Sequence, residues 1–239
     1  MSWKKSLVAL PIVLFGSLAS GATTVDVLYN SVNPGIAESV SFNSGGSFAI
    51  TGTGTYNLTI SNSSDPAVLA NGALAAYCVE GGAPTPGSPP GAQPYTVLGP
   101  GSYVAPATVP NFVANMSLVN MLFNQHFTPG LSTNDTAALQ LAIWEVLYDG
   151  SGGSLGTGVF QVNDPAPPNT EVTLAQSWVD NINTTAAVNN YALYQLANAN
   201  YQDFVIGVNV VPLPAALPAG AGTLVALLAL RKFRSRATA

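Results

Sequence analysis

Between residues 6 and 230 there is no lysine and no arginine. All six basic residues lie near the two ends, as Lys4, Lys5, Arg231, Lys232, Arg234 and Arg236, and all eleven acidic residues fall between them. That interior carries a formal charge of −11, which the whole-chain value of −5 conceals. It repels nucleic acid and anionic lipid, and the basic patch that nucleic-acid binding requires is missing. Without lysine, an internal lysine-based isopeptide crosslink is also excluded. Histidine occurs once, as His126, and cysteine once, as Cys78. No metal-ligand cluster can be assembled from these, and a disulfide within the chain is impossible. The glycine-rich run GSGGSLGTG, residues 150–158, lacks the lysine of a phosphate-binding loop and follows a helical pattern rather than a strand. No cofactor and no metal is therefore assigned.

Apolar residues make up 48% of the chain, and about 190 residues lie between the two charged ends, which suits one domain with a substantial core. Residues 1–22 read as a secretory signal: Lys4 and Lys5 open it, an apolar run from Leu7 to Leu18 follows, and Ser20 and Ala22 suit cleavage. Pro11 and the shortness of the run argue against a membrane span. Residues 210–239 form a second targeting segment, with an apolar stretch from Leu213 to Leu230 and a basic end. Eighteen residues of helix reach about 27 Å, enough for a thin bilayer core, and the basic end would stay on the cytoplasmic side.

Val211-Pro212-Leu213-Pro214-Ala215, followed by the apolar stretch and Arg231-Lys232-Phe233-Arg234, resembles the PEP-CTERM sorting signal of Gram-negative bacteria in its VPLPA-type variant. The common form has Glu between the prolines, where this chain has Leu213. The resemblance implies an exosortase-type processing protease as partner, a membrane-inserted intermediate, and delivery to the cell surface or extracellular matrix. It covers residues 211–239 and states an address rather than an activity.

The interior, residues 23–209, is expected to be a β-rich α+β domain with packed helices. Segments such as TTVDVLYNSV and GSFAITGTGTYNLTI read as strands joined by glycine turns. Ala76–Glu80, Tyr95–Leu98 and Phe204–Val211 are further strand candidates, and GGAPTPGSPPGAQ, residues 81–93, is a loop. Helical periodicity occupies residues 111–149 and 172–198. In the first, Ser132, Thr133 or Asn134 can cap a helix, Asp135 favours its positive end and Gly150 follows its last turn. Leu139, Ala142, Ile143, Val146 and Leu147 form a buried stripe, and Gln140 and Trp144 stack on the adjoining face.

Tyr77-Cys78-Val79 and the helical run Gln140-Leu141-Ala142-Ile143-Trp144 together resemble the motifs of bacterial surface thioester domains. The resemblance spans residues 74–149. It implies an internal thioester in which Cys78 supplies sulfur and Gln140 the acyl carbon, Tyr77 and Trp144 form the surrounding wall, and surface amines or polysaccharide are the partners. A thiolate is a strong nucleophile and an amide a poor electrophile, so such a bond needs enforced proximity and a stabilised oxyanion. A buried inert thiol, or half of an intermolecular disulfide, is the alternative for Cys78. That alternative makes the chain a structural matrix or biofilm component. Glu80 and Glu145 are the one carboxylate pair a glycosidase could use, a minor third reading. His126 suits a helix end, and Tyr191, Tyr194, Tyr201 and Phe204 suit core packing or, less simply, glycan stacking.

Deleting residues 213–239 is expected to release the domain from membranes into the periplasm or medium, because this tail holds the long apolar stretch that remains after signal cleavage. Fractionation of cells expressing the truncated chain measures this, and unchanged membrane retention would count against the tail as anchor.

Overall fold

A computed structural model describes residues 22–42, 47–81, 91–109, 111–163, 169–182 and 190–210. The signal segment up to residue 21, the sorting motif Val211 to Ala215, and Arg231, Lys232, Arg234 and Arg236 lie outside the described residues. Among the described residues no helix is long and apolar enough to cross a membrane.

The interior is α+β, with seven strands in one antiparallel sheet and three helices among the described residues. The strands are β1 (Thr23–Phe42), β2 (Ser47–Ser61), β3 (Gly72–Cys78), β4 (Gln93–Leu98), β5 (Phe160–Val162), β6 (Tyr191–Ala197) and β7 (Phe204–Asn209). The helices are α1 (Phe112–His126), α2 (Thr133–Asp149) and α3 (Thr170–Asn181). The order β2-β3-β7-β6-β4-β1-β5 has an additional pairing between β1 and β2, so six strands close into a ring. Length makes this possible: β1 pairs with β4 over Thr23–Val27, with β2 along most of its course, and with β5 at its far end. Shifts of register near Tyr29, Val32 and Ile36 bend it along the way.

The seam between β3 and β7 is the shortest in the ring, with just Tyr77↔Val205 and Cys78↔Phe204 in register. Phe204 touches Tyr56 of β2 and Tyr95 of β4, two strands that are not its neighbours. Contact across non-adjacent strands means that Phe204 points into the ring. Cys78, its cross-strand partner, shares that face, and Tyr77 leaves on the other.

Helix α2 follows the expected limits. Ser132 accepts a hydrogen bond from Asp135 N–H, and Gly150 ends the helix at φ 83°. Its burial exceeds the expected stripe, since every residue from Thr136 to Tyr148 is buried. A helix apolar on most sides belongs inside, and α2 packs against β1, β2 and β5 as well as α1 and α3. Residues 172–198 depart from expectation: the helix ends at Asn181, and Tyr191–Ala197 is strand β6. Its apolar residues satisfy both periods over so short a run, and pairing with β4 and β7 decides for the strand.

Gly207 of β7 lies beneath the Phe123 ring of α1, where a methyl group would overlap the ring. Gly207→Ala is expected to destabilise the domain by about 1–3 kcal/mol through overpacking. A lowered urea midpoint with an unchanged slope would register the loss.

Candidate functional site

Cys78 ends β3 at the place where β2 has already left it, the last β2 pairing being Tyr56↔Ala76. Backbone groups of alternate strand residues point to the same edge, so the Cys78 N–H and C=O face the side that β2 vacates. Gln140 of α2 fills the gap. Its Oε1 accepts from Cys78 N–H at 2.9 Å and its Nε2 donates to Cys78 O at 2.9 Å. The structure thus brings together the two residues singled out from the sequence, but joins Gln140 to the main chain of Cys78 rather than to its sulfur.

The side-chain partner of the sulfur is Gln202, a residue the sequence reading missed. Gln202 Nε2 donates to Cys78 Sγ, and also to Glu80 O at 2.9 Å. The thiol itself donates to Glu80 O at 2.9 Å. Register explains the meeting: Val79 N–H donates to Asp203 O, which extends the seam and sets Gln202 diagonally across from Cys78. The turn that carries Gln202 is tied down on several sides. Asn198 Oδ1 accepts from the N–H groups of Asn200 and Tyr201, Asp203 Oδ1 accepts from Asn198 N–H, and Tyr95 Oη donates to Gln202 O. No periodic pattern marked Gln202 among the seven glutamines.

Cys78, Gln140 and Trp144 are sealed from solvent, and Gln202 and Tyr56 nearly so. Burial pushes the Cys78 thiol up; the Trp144 indole and the Tyr56 hydroxyl lie near enough to the sulfur to oppose that in part. Trp144 Nε1 approaches without meeting hydrogen-bond geometry and has no other partner. Gln202 Oε1 is also buried and unpaired. One orphan donor and one orphan acceptor thus stand beside the same sulfur, each costing about 1–3 kcal/mol while unmet. Burial, and then the nearby Cys78, push the Tyr56 hydroxyl up; it faces both Cys78 and Gln202. Tyr77 takes no part in this wall. Its ring packs edge-on against Phe123 and Phe127, and its hydroxyl accepts from Thr55.

Glu80 and Glu145 have separate surroundings. Glu80 accepts from Thr108 and from Asp203 N–H, whereas Glu145 is buried beside Gly153 and Asp149 with both oxygens unpaired. His126 stacks on Trp178 at 4.2 Å, and burial lowers its pKa. No protein-family model, no curated protein and no solved structure matches this chain.

Glu145 yields a pH prediction. Burial first, then the Asp149 charge, raises it from 4.5 to about 8. The folded protein therefore keeps a proton that the unfolded chain has released between those values. The contribution of Glu145 to stability is full below about pH 4.5 and declines as pH rises towards 8, by at most about 1.4 kcal/mol per pH unit. Glu145→Gln is expected to flatten this decline. Urea midpoints of both proteins on either side of the interval test it, and parallel profiles would show that Glu145 is not the titrating group.

Proposed function

We propose that this chain is an exported bacterial surface or matrix protein, sorted by an exosortase-type system, whose domain carries an internal thioester between Cys78 and Gln202. Residues 1–22 serve as signal peptide, residues 23–209 as the displayed domain and residues 210–239 as the sorting segment. One observation carries the thioester: the Gln202 amide lies directly against the Cys78 sulfur, inside a seam closed to water.

In the proposed step Sγ attacks Gln202 Cδ, the S–C bond forms, and the C–Nε2 bond breaks. The amide nitrogen leaves as ammonia, taking the thiol proton. Fixed proximity is the main contribution, since well-placed groups reach effective molarities of about 10⁵ M and above. Trp144 Nε1–H, unpaired beside the sulfur, and the Tyr56 hydroxyl, which faces Gln202, are candidate donors for the oxyanion. Gln140 holds the Cys78 backbone in place and is not consumed. The group reacts once when an amine or hydroxyl opens it, so the protein acts as a covalent adhesin rather than as a catalyst with turnover. The second reading, a structural matrix component with an inert thiol, draws support from the burial that keeps Cys78 protonated.

Intact mass separates the two. The mature protein is expected to be one ammonia lighter than its sequence, with Cys78 closed to alkylation after unfolding. Methylamine should attach at Gln202 and free the thiol. Cys78→Ala and Gln202→Ala should each abolish both signals. The label must be mapped by cleavage at aromatic or acidic residues, because no tryptic site occurs from residue 6 to 230. Label at Gln140 would return the acyl role to that residue. Full mass with immediate alkylation of Cys78 would leave the structural reading.

A further inference from the structure

The glycine-rich run at residues 150–158, which lacks the lysine of a phosphate loop, closes over two acids at the end of α2. Glu145 and Asp149 are four apart and so lie on one face of the helix. A methyl group on Gly153 would overlap Glu145 Oε1, and one on Gly158 would lie 2.7 Å from Asp149 Oδ1. At both glycines, therefore, the loop backbone is moulded to a carboxyl group. Asp149 Oδ1 and Oδ2 accept from Val159 N–H and Phe160 N–H, each at 2.8 Å. From α3, Gln176 holds the loop by donating to Gly153 O and accepting from Leu155 N–H.

These bonds secure Asp149 and leave Glu145 without a partner. Glu145 is 0% exposed, and neither of its oxygens is hydrogen-bonded. Protonation does not repair this, since a neutral carboxyl still buries a donor and an acceptor that nothing meets. Its position adds to the cost: the C-terminal end of a helix is the negative pole of its dipole, and α2 has no basic residue in its last turn. Residues 6–230 hold no lysine or arginine that could approach from elsewhere. A cation from solution relieves the burial, the dipole and the like-charged neighbour together. Among the described residues no third His, Cys, Asp or Glu joins the pair. The remaining ligands are then main-chain carbonyls and water, a set that suits Ca²⁺, which takes about six to eight oxygens in flexible geometry, better than Mg²⁺, which demands a regular octahedron.

We propose that the end of α2 and the loop at residues 150–158 form a Ca²⁺ site, with Glu145 as its central ligand and Asp149 as the second carboxylate. Two carboxylates balance the charge of one divalent ion. Ser151 and Gly152 are exposed, so the ion enters from solvent through the loop. Ion and proton are alternatives at the same Glu145 oxygens, and the decline in stability with pH belongs to protein kept in chelator. The ion fixes the end of the helix whose Gln140 and Trp144 stand at Cys78, whether or not the thioester forms.

The test uses the mature protein at one pH, stripped with chelator and then titrated with Ca²⁺. Calorimetry is expected to count one Ca²⁺ per chain, and the urea midpoint to rise with added Ca²⁺. Tb³⁺, a luminescent substitute for Ca²⁺, should emit on excitation of tryptophan, because Trp144 is the chain neighbour of Glu145, and Ca²⁺ should displace it. Glu145→Gln is expected to weaken Ca²⁺ binding by about 10-fold or more and to lose the rise in midpoint. An unchanged response in Glu145→Gln would overturn the proposal. Should that variant not fold, the wild-type protein decides by itself. Absence of a midpoint shift at millimolar Ca²⁺, or of displaceable Tb³⁺ emission, overturns the site, and equal displacement by Mg²⁺ overturns the choice of Ca²⁺.

Discussion

The Gln140 side chain stands in for a strand that is not there. At Cys78 the ring of strands narrows to a two-residue seam on one side and has lost β2 on the other. An unpaired N–H and C=O at that depth would be expensive to bury. A glutamine amide has the same donor and acceptor as a peptide group, and from α2 it supplies both. Helix, strand and thiol are thereby fixed to one another at a single point. The same device recurs where Gln195 brackets Val104, another backbone position.

Electrostatics at the site follows from how little charge the interior holds. With no internal lysine or arginine, a buried acid can be accommodated by protonation or by hydrogen bonds. Glu145 takes the first course, and Glu80 is held by the second. Cys78 is likewise kept as the thiol by its apolar setting. Such surroundings disfavour free thiolate chemistry, and the thioester proposed for Cys78 and Gln202 would carry no charge to desolvate.

Local signals in the sequence were read well where one element suffices to specify them. Ser132, Asp135 and Gly150 delimit α2, and the Cys78 strand and Gln140 helix do meet. Gln202 was out of reach because its position comes from the pairing of two distant strands and from a turn held by Asn198 and Asp203. Neither leaves a periodic trace. The run 191–197 failed for a related reason: seven residues with buried Leu193, Gln195 and Leu196 fit a helix or a strand until the neighbours β4 and β7 are known. The resemblance to thioester-domain motifs places Tyr77 in the wall around the thiol, but adjacent strand residues face opposite ways.

Closure of the six strands has a consequence for copies crowded together. An open sheet presents a row of unpaired backbone groups on which a neighbouring molecule can add a strand, the usual route to fibres. Here each of the six strands finds a partner on both sides at some point along its length, and the additional strand β5 is three residues long. Among the described residues, the longest backbone left open to such pairing lies in β1 between Val27 and Val40 and in β2 before Tyr56, where these two strands pair with each other alone. Strand addition between crowded neighbours is thereby directed to that two-stranded ribbon, and the seam at Cys78 takes no part in it.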